Sequence, residues 1–202
     1  FGRVDHADGR IQHIGRIGLR DDDGEPFLLD WRAPNAAGFY QATTVEPMGL
    51  VRRRRIITKG RAVTHIEDED LADPTALSTD AAALAVEAPR EGRMGDIIAT
   101  IAADQDRIVR SPMNQVTVVQ GGPGTGKTVV ALHRAAWLLY TYRDRLAKDG
   151  VLVIGPSSAF LRYIDQVLPS LGETDVVLLT PGQLYPAVST NLPDATAAAA
   201  VK

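Results

Sequence analysis

The sequence predicts an α/β fold in which an open parallel sheet with a phosphate-binding loop follows an antiparallel β-rich segment. Three observations lead to this prediction. Short alternating apolar runs fill residues 1–70, continuous apolar runs alternate with helical patterns after residue 93, and a glycine-rich loop occupies residues 121–128. The 202 residues, 45% of them apolar, suffice for one good-sized domain or two small ones with a sizeable buried core.

Residues 1–70 are predicted to form an antiparallel β-meander, because clusters of Gly and Asp separate their alternating runs. Residues 21–26 (DDDGEP) are a hairpin-loop signal, since Asp-Gly supplies the positive φ angles of a tight turn. Residues 71–92 are rich in Ala, Pro, Asp, Thr and Ser, which predicts a linker with a short helix over residues 79–86.

Residues 93–194 are predicted to be the first part of the parallel-sheet domain. Apolar residues at helical spacing indicate a helix over residues 94–108 that ends at Ser111 and Pro112. The elements predicted after it are a buried strand over residues 116–120, a long helix over residues 128–145 capped by Gly150, a strand over residues 151–154, a helix over residues 159–168 and a strand over residues 176–179. The Ala-rich residues 195–202 are predicted to be a disordered tail or a point of truncation.

Composition narrows the class of protein. The chain has 22 Lys and Arg against 25 Asp and Glu, and this balance neither indicates nor excludes a nucleic-acid partner. With no cysteine, disulfides and cysteine-based metal or redox chemistry are excluded, and a cytoplasmic location is expected. No apolar run approaches the roughly 20 residues of a membrane-spanning helix, so no membrane contact is expected. The missing initiator Met and the Ala-rich ending indicate a piece of a longer protein.

The loop at residues 121–128 (GGPGTGKT) is the strongest functional signal. Its glycines let the backbone curl so that successive N–H groups point into one concavity. Lys127 would place its charge on the β and γ phosphates of a nucleotide, and the Thr128 hydroxyl would bind Mg²⁺. Because the loop leaves a predicted strand and enters a predicted helix, we expect a nucleoside triphosphate site, with ATP as the ligand.

Gln105 lies upstream of this loop, at the end of the helix predicted over residues 94–108. A carboxamide donates and accepts hydrogen bonds at once, so Gln105 can recognise the edge of adenine. The alternative is a surface glutamine on a helix, and the placement before a phosphate loop favours the functional interpretation.

Four other features are interpreted as structural. Alternation along a strand lets at most two of the four arginines at residues 52–55 share a surface, which favours a charged sheet edge over a phosphate contact. Residues 66–70 (IEDED) are expected to be a solvated loop. Trp31 and Trp137 are expected to pack in the core, and Ser157 or Ser158 to cap a helix.

Gln105, the glycine loop and the following residues 131–139 (ALHRAAWLL) resemble the start of a superfamily 1 helicase motor of the UvrD/Rep type. The resemblance is closer to the HelD-type RNA polymerase recycling ATPases of actinobacteria. Residues 13–19, 29–34 and 39–40 are similar to the β-rich lead-in of that family. Residues 151–172 look like the segment that faces nucleic acid in true helicases, so the resemblance covers nearly the entire chain apart from its Ala-rich end.

The resemblance implies part of a RecA-like ATPase domain (domain 1A) in a motor that binds RNA polymerase and helps strip DNA or RNA from stalled complexes. ATP and Mg²⁺ are the cofactors that it implies, with Lys127 and Thr128 as catalytic residues, Thr128 as the Mg²⁺ ligand, and Arg134 near the nucleotide. The residues expected to bind the nucleotide are Gln105, Gly122, Gly124, Thr125, Gly126, Lys127, Thr128, Val129 and Arg134.

One part of such a motor is missing from the sequence. ATP hydrolysis needs an apolar strand that ends in Asp-Glu, together with arginine fingers from a second domain, and no such strand follows Lys127. Residues 27–30 (FLLD) imitate the pattern but precede the loop and continue into Trp31. We therefore expect the chain alone to hydrolyse ATP negligibly. A processive UvrD/Rep-type DNA helicase and a module that only binds ATP are the alternatives, and the long β-rich lead-in argues against the first.

Overall fold

The computed structural model describes residues 2–73, 101–171 and 176–185. The chain divides into two compact units, residues 1–143 and 144–202. The predicted linker after residue 73, its short helix over residues 79–86, the first part of the helix predicted over residues 94–108 and the Ala-rich tail lie outside the described residues. No helix among the described residues is both long and apolar enough to span a membrane.

The first unit is built on a six-stranded sheet of order β3-β4-β2-β1-β5-β6. Its strands are β1 (Gly2–His6), β2 (Ile11–Gly15), β3 (Leu19–Arg20), β4 (Pro26–Asp30), β5 (Leu50–Lys59) and β6 (Ala62–Asp70). All neighbours pair antiparallel except β2 and β4, which are parallel. The predicted meander is therefore wrong in its connectivity, because the β3–β4 hairpin returns along β2 and the chain then crosses over to place β5 beside β1.

The predicted hairpin between β3 and β4 is confirmed. The Asp21 N–H donates to the Glu25 carbonyl over 2.9 Å, and the Gly24 N–H donates to the Asp21 carbonyl over 3.1 Å. Gly24 has a φ angle of +85°, which explains why glycine occupies this point of the turn.

The four arginines of β5 face a matching row of acids on β6. The register pairs Arg52 with Asp70, Arg53 with Glu69, Arg54 with Asp68 and Arg55 with Glu67. The expected sheet edge is wrong, because β5 lies between β1 and β6, and the expected loop at residues 66–70 is instead part of β6. Each run looks solvated by itself, but opposite charges on adjacent strands stabilise the pairing of the two.

Arg53 anchors the connection between β4 and β5 to the sheet. This connection contains the short helix α1 (Ala37–Gln41). The buried guanidinium donates to the Glu69 carboxylate over 2.9 and 2.6 Å and to the carbonyls of Phe39 and Ala42, each over 3.0 Å. One side chain thus satisfies an acid on β6 and two backbone groups around the end of α1.

Two helices complete the described part of the first unit: α2 (Ala103–Val109) and α3 (Lys127–Thr141). The predicted helix over residues 94–108 would include residues 101 and 102, but α2 begins only at Ala103. Ala102 is extended, with φ −66° and ψ 155°. The long helix predicted over residues 128–145 divides at Tyr142, where φ is −113°, into α3 and α4 (Arg143–Asp149).

The strand predicted over residues 116–120 is absent from the described structure. Val116 is 91% exposed and Val118 is 77% exposed. A strand exists only where neighbouring strands satisfy its backbone groups, and none of the described strands pairs with this run. The predicted strand is therefore wrong, because an apolar pattern alone supplies no pairing partner.

The second unit pairs β7 (Val151–Ile154) with β8 (Val176–Leu179) in parallel, and α5 (Ser158–Val167) connects them, as predicted. Two described strands do not make the full parallel sheet of a RecA-like domain. Leu152 and Ile154 are about half exposed, so β7 is not covered on both faces as expected. The Gly150 cap, at φ +69°, is confirmed, as is the Ser157 cap, whose Oγ accepts from the Phe160 N–H over 3.3 Å.

Candidate nucleotide-binding site

The glycine loop curls immediately before α3. Gly124 has a φ angle of +79°, and Gly126, which caps the N-terminus of α3, has one of +82°. Both angles lie in the left-handed region that favours glycine. A Cβ atom on Gly121 would lie 2.6 Å from the Thr125 hydroxyl, which itself donates to the Gly122 carbonyl over 2.9 Å. The backbone therefore favours glycine at positions 124 and 126, and Gly121 leaves room for the Thr125 side chain.

Lys127 is the first residue of α3 and folds back over the loop. Its Nζ donates to the carbonyls of Gly121 and Gly122 over 2.8 and 2.6 Å. Thr128 follows in the same turn, and Val129 is buried and holds the start of the helix in the core. Because the first turn of α3 contains no acidic side chain, its positive dipole end and the Lys127 ammonium group suit an anion.

Gln105 contacts this loop. The sequence predicted that Gln105 lies at the end of a helix, but in the structure it lies in the first turn of α2. Its Oε1 accepts from the Ala102 N–H and its Nε2 donates to the Thr125 carbonyl, each over 3.3 Å. A Cβ atom on Gly126 would lie 3.0 Å from that Nε2. The structure thus brings Gln105 to the phosphate loop, whereas its recognition of adenine stays a prediction.

Arg134, on the second turn of α3, has a structural position. Its guanidinium donates to the end of α2 and to the turn that follows it, over 2.7–3.1 Å. The acceptors are the backbone carbonyls of Ile108, Val109, Ser111 and Pro112, and the Ser111 hydroxyl. A cation at the C-terminal end of a helix is favourable to the helix dipole. These bonds hold α2 against α3, and a contact between Arg134 and a nucleotide stays a prediction.

A buried network that the sequence did not predict ties α2 to the β-rich segment. Asp106 is 0% exposed, and its Oδ2 accepts from Gln41 Nε2 over 2.6 Å and from Arg110 Nε over 2.8 Å. Burial raises the pKa of Asp106 and the Arg110 charge opposes that rise. In the sequence, the i,i+4 spacing of Asp106 and Arg110 could have indicated this ion pair. The same spacing is typical of exposed pairs on a helix surface, so it does not predict burial.

Arg110 extends this network to the loop that follows β4. Its terminal nitrogens donate to the carbonyls of Trp31, Arg32 and Ala33 over 2.7, 3.3 and 3.1 Å. The Arg32 side chain is itself buried and donates to both oxygens of Asp30. The loop of residues 30–33 is therefore fixed to α2 through its backbone.

The same loop packs on α3. The Trp31 ring meets the His133 ring edge-on with centroids 5.3 Å apart, and the Arg32 guanidinium lies 4.7 Å from the centroid of the Tyr140 ring. Trp31 and Trp137 are both buried, which confirms their predicted packing role. The β-rich segment, α2 and α3 thus form one unit around the base of the phosphate loop.

We expect His133 to make the stability of this unit depend on pH. Burial lowers the pKa of His133, although its hydrogen bond with the Val129 carbonyl raises it in part. Below about pH 6.5 the unfolded chain takes up a proton that the folded chain resists, so stability falls as the pH drops toward the folded pKa. Between about pH 7.5 and about pH 5.5, thermal unfolding should show a smaller loss of stability for His133→Gln than for the unchanged chain.

His13→Gln is the matched control for that measurement, because His13 is exposed on β2. This variant should keep the pH dependence of the unchanged chain. A pH dependence that His133→Gln leaves intact would show that His133 is not its source.

Comparison with known proteins assigns the first part of the chain. Residues 1–83, which include the six-stranded sheet, match the protein family described as DNA helicase IV HelD, N-terminal domain. The chain is also similar to the 3'-5' exoribonuclease HELZ2 of Mus musculus, with 40% identity over 67 residues that cover 27% of this chain and 2% of that protein. The chain thus spans a small fraction of that relative. Residues 1–83 are thus similar to the N-terminal domain of the HelD family.

Proposed function

We propose that the chain is the ATP-binding part of a helicase-like motor ATPase that binds RNA polymerase and helps release it from nucleic acid for recycling. One observation supports the proposal above the others. The HelD-type β-rich segment is joined, in one compact unit, to the helices that carry Gln105 and Lys127, with Gln105 hydrogen-bonded to the glycine loop. A generic phosphate loop would not need this segment.

The residues of the loop fit ATP and Mg²⁺. The curled backbone of the loop, the Lys127 ammonium group and the N-terminus of α3 would hold the phosphates, the Thr128 hydroxyl would bind Mg²⁺, and Gln105 would contact the base. Bound ATP supplies the free energy of phosphoryl transfer. Lys127 must then exchange its bonds to the Gly121 and Gly122 carbonyls for bonds to phosphate oxygens.

The proposal assigns turnover to the intact motor. The sequence after Lys127 lacks an Asp-Glu strand, and arginine fingers would come from a second domain. The chain by itself therefore binds ATP without hydrolysing it appreciably.

Retention of RNA polymerase tests the central claim. The full-length protein that contains this chain should retain purified RNA polymerase in a pull-down, and ATP should change the amount of nucleic acid that stays with the polymerase. Lys127→Ala should preserve retention and abolish the effect of ATP, because it weakens the nucleotide site and leaves the β-rich segment intact. Lys148→Ala, which removes the same charge from an exposed site on α4, is the control.

Two outcomes would contradict the proposal. Without polymerase retention, the proposed partner is wrong. Equal retention and equal release of nucleic acid with and without ATP would favour a module that only binds the nucleotide. The description of the matched family as a DNA helicase supports a processive DNA helicase as the second candidate, and separation of a tailed duplex by the full-length protein would favour it.

A further inference from the structure

We infer that Gln41 and Asp106 are positioning residues that set the preference of the site for adenine by fixing the side chain of Gln105. The inference rests on the proposed binding of ATP. Gln41 belongs to the HelD-type segment, which contains no residue of the glycine loop. Through the bond from Gln41 to Asp106, this segment would help to position the nucleotide site.

Gln105 and Asp106 are neighbours on α2 but serve different surroundings. Successive side chains leave a helix about 100° apart, so the two residues point to different sides. Gln105 reaches the Thr125 carbonyl of the phosphate loop, and Asp106 is buried against Gln41 and Arg110. Any rotation of α2 about its axis therefore moves both contacts together.

The bond from Gln41 to Asp106 restrains that rotation. Oδ2 of Asp106 accepts both hydrogen bonds, whereas its buried Oδ1 has no hydrogen-bond partner among the described residues. Arg110 directly follows α2 and moves with it, so of these two bonds the one from Gln41 ties Asp106 to another element. Because a buried carboxylate that loses a hydrogen bond is unfavourable, this bond opposes rotation of α2. Arg110 and Arg134 hold the C-terminal end of α2, whereas the bond from Gln41 restrains the helix next to Gln105.

The geometry of Gln105 depends on this restraint. Its amide is bracketed by the Ala102 N–H and the Thr125 carbonyl, both at 3.3 Å, which is near the long end of hydrogen-bond distances. A shift of a few tenths of an ångström would weaken either bond. The free donor and acceptor positions of the same amide are those that can pair with an adenine edge, and they would move with it.

Adenine and guanine differ at that edge. Adenine offers an amino donor beside a ring-nitrogen acceptor, which a carboxamide matches with two bonds, whereas guanine offers acceptors on its corresponding edge. A well-placed bidentate pair discriminates between bases by roughly fivefold to a hundredfold. A displaced amide loses that discrimination while the phosphate contacts remain.

The test measures dissociation constants of the 202-residue chain for ATP and for GTP by isothermal titration calorimetry. Gln41→Leu removes the bond to Asp106 at similar volume and leaves the Arg110 bond in place, so the chain should still fold. The ratio of the GTP to the ATP dissociation constant should fall by about threefold to tenfold, through weaker binding of ATP. Asp104→Asn is the control, because Asp104 lies on the same helix with its side chain 90% exposed, and it should leave the ratio unchanged.

A double-variant cycle separates positioning from general destabilisation. In the Gln105→Ala background, Gln41→Leu should change the ratio no further, because the group that it positions is gone. A role in folding alone would weaken ATP and GTP equally and leave the ratio of the two constants unchanged.

The outcomes distinguish the inference from the proposed function. If Gln105→Ala lowers the ratio and Gln41→Leu does not, the inference is wrong and the nucleotide site stands. If Gln105→Ala leaves the ratio unchanged, adenine is not selected by Gln105 and the inference is wrong as well. If the unchanged chain binds neither ATP nor GTP, the proposed function and the inference both fail.

Discussion

Replacing Arg53 with methionine is expected to lower the free energy of unfolding of the first unit by about 3–5 kcal/mol. Methionine fills the space of the aliphatic stem but donates no hydrogen bond. Glu69, whose side chain is 13% exposed, would keep its charge without its principal partner, and the carbonyls of Phe39 and Ala42 would lose their donors. Glu69 would keep only its longer contact with Arg55, at 3.4 Å, among the described residues. Removing one member of a buried ion pair is among the most destabilising changes known in proteins.

Arg54→Met is the matched control for this prediction. Arg54 is the next residue on β5, on the opposite face, and pairs with Asp68, with side chains 30% and 44% exposed. Exposed pairs of this kind contribute little to stability, so Arg54→Met should unfold at nearly the same urea concentration as the unchanged chain. Urea denaturation followed by tryptophan fluorescence measures both variants, since Trp31 and Trp137 are buried in the same unit. Equal losses for the two variants would show that the burial of Arg53 has no special role.

Replacing Lys127 with alanine is expected to weaken ATP binding by about tenfold to a hundredfold, because charged hydrogen bonds to phosphate are lost. Within the described part of the chain, Lys127 bonds to the exposed loop carbonyls of Gly121 and Gly122, so the melting temperature without nucleotide should hardly change. ATP with Mg²⁺ should raise the melting temperature of the unchanged chain and of Lys148→Ala, and much less that of Lys127→Ala. An equal rise in all three would exclude the glycine loop as the site.

The parts predicted correctly from the sequence are those encoded by neighbouring residues. The turn before β4 needs an Asp-Gly pair, α5 has a serine at its cap, and the glycine loop needs left-handed backbone at Gly124 and Gly126. The structure places Gln105 beside the loop, whereas the predicted contact of its amide with adenine stays a prediction.

The parts that were missed depend on residues far apart in the chain. The arginines of β5 and the acids of β6 each look like solvated runs until the register sets them opposite one another. Asp106 looks like a surface acid until Gln41, 65 residues away, reaches it. Residues 116–120 have the composition of a strand but lack a described neighbour, so no local pattern could have given their conformation.

The pairing between β5 and β6 also bears on how the protein meets polyanions. A run of four arginines suggests counterion release and a steep dependence of binding on salt concentration. Each of these guanidinium groups already has an acid as its partner: Asp5 for Arg52, Glu69 for Arg53 and Arg55, and Asp68 for Arg54. The positive charges of the four arginines are therefore neutralised by neighbouring carboxylates. A salt-sensitive attraction to a nucleic-acid backbone has to originate in other parts of the protein.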